Sequence, residues 1–427
     1  MRAVHPVPTR EDVARYHPDP KVRQHLEEHF ERIARAVVAA FGEERVQALL
    51  VTGAPGRGET SAEMADGRLL VYSDYDLLVL VDAALPGDDI LARELSAHWT
   101  ERLRPEGVLL HVDVSIQTLT DLRRSAGTQA AWDVFHASTI LRGAPPSRLL
   151  PDVAEMALSR LEPLRLIVNR FGGSLELLFP EVTLLGEGVE RDDRLLESLY
   201  QSEKHIADAA TALLMTRGEY VAPYRRRAEL FERRAECFSH LENGEWLRSA
   251  AQSAVDVKLS GRVQDLAAVW TERFGDLRSA AFESWTLARR ALRSVLPDAI
   301  AHATGRPHHD RTGAGEVRGN EILSVLRWTD RVRGRIGGWL APFDSDRYRQ
   351  GCIWGAIVET CLALPDVAPT RTETWSSEHR ERCQAAHQLL DRIGMPRTLS
   401  ENGNGPFQTW LELRERSFSI WRSGGAQ

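Results

Sequence analysis

Apolar side chains in the first 150 residues follow two spacings. From His25 to Phe41, the residues Leu26, Phe30, Ile33, Val37, Val38 and Phe41 recur every three or four positions, as on one helix face, and Gly42 closes the run. Val46–Thr52 is short, apolar and followed by glycine, which predicts a buried strand. Tyr75–Val81 and Val108–Ile116 have the same character, and Ser138–Leu141 is a shorter fourth candidate. Ile90–Leu103 reads as an amphipathic helix ended by Pro105 and Gly107. Pro6, Pro8, Pro18 and Pro20 make residues 1–19 a loose leader, and Gly143-Ala144-Pro145-Pro146 marks a boundary. From about residue 153 the period is helical, with breaks at Gly172-Gly173, Pro180, Gly218 to Pro223, Gly261 and Gly305 to Gly319. The expected organisation is a leader over 1–19, an α/β (α+β) domain with a short mixed sheet over 20–148, and an all-α region over 149–427. A break near 300–320 would divide that region into two sub-bundles.

Composition narrows the function classes. The 427 residues suffice for two or three domains, and 43% hydrophobic content supports a packed core. Lys plus Arg is 54 against 61 Asp plus Glu, a formal charge of −7, which argues against a dedicated nucleic-acid binder and suits a small-molecule or nucleotide substrate. No apolar run approaches the roughly 18 residues that span a bilayer, so no membrane partner is expected. The opening residues lack the apolar stretch of a signal peptide, and Cys237, Cys352, Cys361 and Cys383 are too widely spaced for a C-x-x-C pair. Reduced thiols in a cytoplasmic protein are expected. Only three lysines occur, Lys21, Lys204 and Lys258, against 51 arginines. A lysine in such a background is a candidate for a role that needs a compact ammonium.

The chemistry concentrates in Val51–Ser61 (V-T-G-A-P-G-R-G-E-T-S), Tyr72–Val81 (Y-S-D-Y-D-L-L-V-L-V) and Leu109–Ile116 (L-L-H-V-D-V-S-I). Asp74 and Asp76 stand two apart where a strand begins, so alternation places both carboxylates on one face. Like charges so placed repel unless a cation lies between them, and Mg²⁺ (or Mn²⁺) favours carboxylate oxygens. Asp113, between Val112 and Val114, would complete the cage. Three such carboxylates can hold two metals about 3.5–4 Å apart, the spacing that serves both oxygens of a phosphoryl displacement. Asp113 is then the candidate for taking the acceptor's proton. Gly53, Gly56 and Gly58 permit a backbone anion nest, Arg57 adds a phosphate donor, and Glu59 either pins Arg57 or joins the metal shell. A helix is expected to start near Thr60-Ser61. His111 shares a face with Asp113 and reads as a packed or supporting histidine.

In this order, the glycine turn, the S-D-x-D-L strand entry and the later V-D-V resemble the polymerase-beta-like nucleotidyltransferase superfamily. The resemblance covers roughly residues 30–145. It implies a nucleotidyltransferase fold, with Gly53 at the turn, Asp74 and Asp76 as metal ligands, and Asp113 as ligand and proton acceptor. It also implies nucleotide contacts from Ala54, Arg57, Gly58, Glu59 and Ser73, and a basic residue from a later helix, for which Lys204 fits. The implied reaction moves a nucleoside monophosphate from an NTP, ATP by preference, to a hydroxyl and releases pyrophosphate. A small-molecule acceptor is the leading expectation. Two departures stand out: Ala54 replaces the family's serine, with Thr60 or Ser61 as substitutes, and Gly53 to Asp74 spans 21 residues. The insertion Glu63–Leu70 is expected to form a hairpin over the site. Arg225-Arg226-Arg227 with Arg233-Arg234 supports an alternative, a toxin-like enzyme acting on tRNA or protein. Ala54 motivates another, a nucleotide-binding regulator without catalysis. His308-His309-Asp310 reads as a polar inter-helix loop.

Overall fold

A computed structural model of the chain describes residues 16–65, 67–177, 192–305, 319, 321–322, 345–363, 376–392 and 406–420. Helix α1 (Pro20–Phe41) begins five residues before the apolar period shows it, because Asp19 accepts the Lys21 N–H at 2.8 Å and Pro20 occupies the first turn. Then come β1 (Val46–Val51), a single turn α2 (Gly53–Gly56), β2 (Ala62–Ala65), β3 (Arg68–Val71), β4 (Tyr75–Val81) and α3 (Asp88–Leu103). They are followed by β5 (Val112–Thr118), α4 (Leu119–Arg124), α5 (Gln129–Ala137), β6 (Thr139–Gly143), α6 (Pro146–Leu149) and α7 (Pro151–Ala154).

Four strands form a mixed sheet in the order β5-β4-β1-β6, with β4 and β5 parallel and the other pairs antiparallel. Strand alternation sorts the side chains. Leu49, Val51, Leu77, Val79, Val112 and Val114 face one core with Phe30, Ile33, Val37, Trp99 and Leu103 of α1 and α3. Ala48, Leu50, Leu78 and Leu80 face the other, with Leu122, Ala131, Val134, Leu150 and Val153.

Of four local expectations, three change. No helix begins at Thr60-Ser61; the only turn of helix there is α2, followed by irregular chain into β2. The insertion does form a hairpin, β2 against β3, with Ala62 opposite Val71. The third strand starts at Val112, and Val108 makes only an isolated bridge to Val71. The described end of the leader is built in: Tyr16 is fully buried, packs tilted against Phe30 at 4.7 Å, and its carbonyl accepts from Thr60 N–H and Oγ1 at 3.1 and 2.8 Å. Tyr16 has φ 63°, and these contacts hold it in that strained conformation.

The chain divides into two compact units. The first runs to Ser159 and adds Val221–Glu229 and Lys258–Gly261; the second holds Arg160–Tyr220, Leu230–Val257 and the chain from Arg262. The later helices are α8 (Glu162–Leu177), α9 (Asp192–Thr216), α10 (Tyr224–Arg233), α11 (Gly244–Ser260), α12 (Val263–Phe274) and α13 (Leu277–Thr304), then Ser345–Ala363, Ser377–Asp391 and Pro406–Ile420. In the second unit Trp285, Trp354 and Trp410 are core residues, as helical spacing predicts. Polar pairs lie among them: Arg170 with Asp208 at 2.6 Å, and Ser174 Oγ with His205 Nδ1 at 3.0 Å. All four cysteines are buried and unbridged. No described helix is long and apolar enough to cross a membrane. His308-His309-Asp310 lies outside the described residues.

Candidate functional site

The parallel pairing of β4 and β5 sets Asp76 opposite Asp113, with Tyr75 opposite Val112 and Leu77 opposite Val114. Paired residues of neighbouring strands lie on one face, the strands being about 4.8 Å apart. Tyr75, Leu77, Val112 and Val114 are buried in the α1/α3 core, so Asp76 and Asp113 project from the opposite face. Asp76 is half-buried and Asp113 exposed. Asp74 lies just before the strand. Its Oδ1 is buried, makes no hydrogen bond, and stands 3.5 Å from His111 Nδ1.

Gly53 begins the turn that abuts this pair. Its φ is 61°, and a Cβ there would overlap Asp76 Oδ2, so the position strongly favours glycine. Thr52 N–H donates to the Asp76 carbonyl at 2.8 Å, which ties the turn to β4. Ala54 is buried, and its carbonyl accepts from Arg57 N–H at 3.2 Å and Glu59 N–H at 2.9 Å. Gly58, also left-handed with φ 74°, lets the chain reverse after the turn.

The next residues face inward. Arg57 is within 3.3 Å of Asp133 and 3.4 Å of Glu59, and its guanidinium lies 5.4 Å from the Tyr224 ring centre. Burial alone would lower the Arg57 pKa, but Asp133 and Glu59 outweigh it and hold the guanidinium above its ordinary value. Glu59 accepts from the backbone N–H groups of Tyr224 and Arg225, each at 2.9 Å, at the start of α10. Of the two roles expected for Glu59, it has the first: it pins Arg57 and caps a helix. The candidate replacements for the family's serine are also engaged. Thr60 Oγ1 donates to Tyr16 and Ser61 Oγ to the Lys258 carbonyl.

Lys258 was missed as a site residue. It belongs to the first unit and is buried; its Nζ donates to Ser61 Oγ at 3.1 Å and Ser73 Oγ at 3.3 Å. Ser73 Oγ also accepts the Ser61 N–H at 2.8 Å. Burial, and secondarily the charge of Arg57, pull the Lys258 pKa down to about 8 against the raising effect of Asp74, Glu59 and Asp76. Lys204, the expected cation, is on α9 in the second unit. Lysine scarcity was the signal for Lys258, and it marked Lys204 equally.

Among the described residues no group of three His, Cys, Asp or Glu stands in position to hold a metal ion. A hard dication such as Mg²⁺ does not require one, since it binds one or two carboxylates and fills its other positions with water or phosphate. Asp76 beside Asp113, with the unsatisfied buried Oδ1 of Asp74 two residues away, supplies that donor chemistry.

The arginine run does not form a continuous basic face. Arg227 is buried and donates to the Val221 and Ala222 carbonyls at 2.8 and 2.7 Å, and Arg226 pairs with Glu229 at 3.0 Å. In the second unit Arg234 pairs with Glu219 at 2.8 Å. No family model, curated protein or solved structure matches the chain.

Proposed function

We propose that the chain is a metal-dependent nucleotidyltransferase, moving a nucleoside monophosphate, AMP by preference, from an NTP to a hydroxyl of a small-molecule acceptor and releasing pyrophosphate. The observation that carries the reading is the register of β4 on β5, which sets Asp76 against Asp113 beside the glycine turn at Gly53. Bound Mg²⁺ or Mn²⁺ would supply the positive charge that a triphosphate and its leaving group need. Asp76 and Asp113 would hold it, with Asp74 beside them. Asp113, the most exposed of the three, takes the proton of the acceptor hydroxyl. Lys258, fixed by two serines, places a compact positive charge beside the carboxylates for the triphosphate. The broken-up arginine run favours a small acceptor over tRNA.

The test is incubation of the full chain with each labelled NTP, Mg²⁺ and a cell extract. Label should move to a small molecule with pyrophosphate release, and Asp76→Asn or Asp113→Asn should abolish transfer while melting at the wild-type temperature. Transfer to RNA or protein selects the macromolecular alternative. NTP binding without release of pyrophosphate selects the regulator, and full activity in either variant removes the reading.

A further inference from the structure

The strand that carries the carboxylates is anchored from behind by a polar chain. Tyr75 lies between Asp74 and Asp76, and its side chain points to the opposite face, where it is fully buried. Its ring packs on Phe30 at 4.6 Å, and its hydroxyl lies 3.0 Å from His29 Nδ1. His29, also buried, has Nε2 3.3 Å from Glu106, whose two carboxylate oxygens accept from Arg32 at 2.6 and 2.8 Å. Glu106 fixes the tautomer: Nε2 carries the hydrogen, so Nδ1 accepts from the Tyr75 hydroxyl. Burial keeps the ring neutral, lowering its pKa more than Glu106 raises it.

Packing alone does not call for these groups. A phenylalanine and a leucine would fill the same space with no buried polar atom to satisfy. The polar pair fixes what an apolar contact leaves loose, the rotation of the Tyr75 residue about the strand axis. Tyr75 is the first residue of β4, and its N–H donates to the His111 carbonyl at 3.0 Å, two residues before Asp113. The direction of its side chain therefore sets the directions of Asp74 and Asp76 relative to β5.

We propose that His29 is a positioning residue for the candidate site: through the Tyr75 hydroxyl it locks the start of β4 and holds Asp74 and Asp76 in place beside Asp113. This rests on the reading of those carboxylates as a dication site. The test measures Mn²⁺ affinity of the full chain from the electron spin resonance of free Mn²⁺, alongside thermal melting. Wild type should bind and Asp76→Asn should not. His29→Leu and Tyr75→Phe should each weaken Mn²⁺ about fivefold, the worth of one buried hydrogen bond. His29→Asn, which keeps an acceptor at the Nδ1 position, should restore affinity to within about twofold of wild type on the same scale. Tyr75→Phe keeps the ring, so it decides the matter if His29→Leu fails to fold. Binding absent from wild type, or unchanged in Asp76→Asn, overturns the dication reading. Binding that needs Asp76 but is unaltered in Tyr75→Phe and His29→Leu overturns the role of His29 alone.

Discussion

Arginine would be the default cation in this chain, yet the cation beside Asp74 and Asp76 is Lys258. The reason lies in the space available. Its ammonium is a compact donor between two serine hydroxyls, whereas a planar guanidinium needs a wider fork of acceptors. Arg57, near Ser61 in the same turn region, shows what such a fork needs: two carboxylates and an aromatic ring. Removing one partner from a buried set of charges leaves the others uncompensated and is destabilising. Lys258→Met is therefore expected to melt below wild type and to weaken MgATP at least about tenfold, as loss of a charge-assisted contact does. Lys204→Ala serves as the comparison. Titration of a fluorescent ATP analogue into both variants checks the assignment, and an unchanged dissociation constant for Lys258→Met removes Lys258 from the site.

At the scale of elements, Glu59 joins pieces of chain far apart in sequence. One buried carboxylate accepts the first N–H groups of α10 and pairs with Arg57. Glu59→Gln keeps one acceptor oxygen and turns a donor toward backbone N–H groups. A lost cap and a weakened buried pair together should cost about 2 kcal/mol, with Asp133 still holding Arg57. Faster hydrogen exchange at the Tyr224 and Arg225 amides would localise the effect, and unchanged exchange there would deny Glu59 its capping role. The unbroken apolar run of Tyr75–Val81 and the 3.6 period of His25–Phe41 are local signals, and both elements are legible to within a few residues. A mixed sheet is legible, but its order β5-β4-β1-β6 is not. The pairing of Glu59 with Tyr224, and of Ser61 with Lys258, is not. These are contacts across about 165 and 197 residues of sequence, and no local period encodes them. The helix expected at Thr60-Ser61 fails for the same reason. Both hydroxyls resemble N-caps in sequence, but distant backbone carbonyls take them instead.

For the whole molecule, the buried titratable groups set how stability depends on pH. Burial lowers the pKa of His17, His29 and His136 in the first unit and His205 in the second. Each binds a proton more readily once unfolded, so stability falls as pH drops below about 6.5. Glu203 on α9 acts in the opposite sense. Burial raises its pKa from 4.5 to about 7. Between those values the folded chain holds a proton that the unfolded chain has released, so this contribution to stability is complete below pH 4.5 and lost as pH rises to about 7. The loss is of the order of 3 kcal/mol once the pH exceeds both values. Glu203→Gln resembles the protonated acid and releases no proton in either state. The variant should therefore melt several degrees above wild type at pH 8 and level with it at pH 4.5. The gain belongs to the second unit, so in a two-step melt only one transition should move. Equal melting at both pH values would mean that Glu203 is ionised in the folded protein, with a partner that meets the cost of burying its charge.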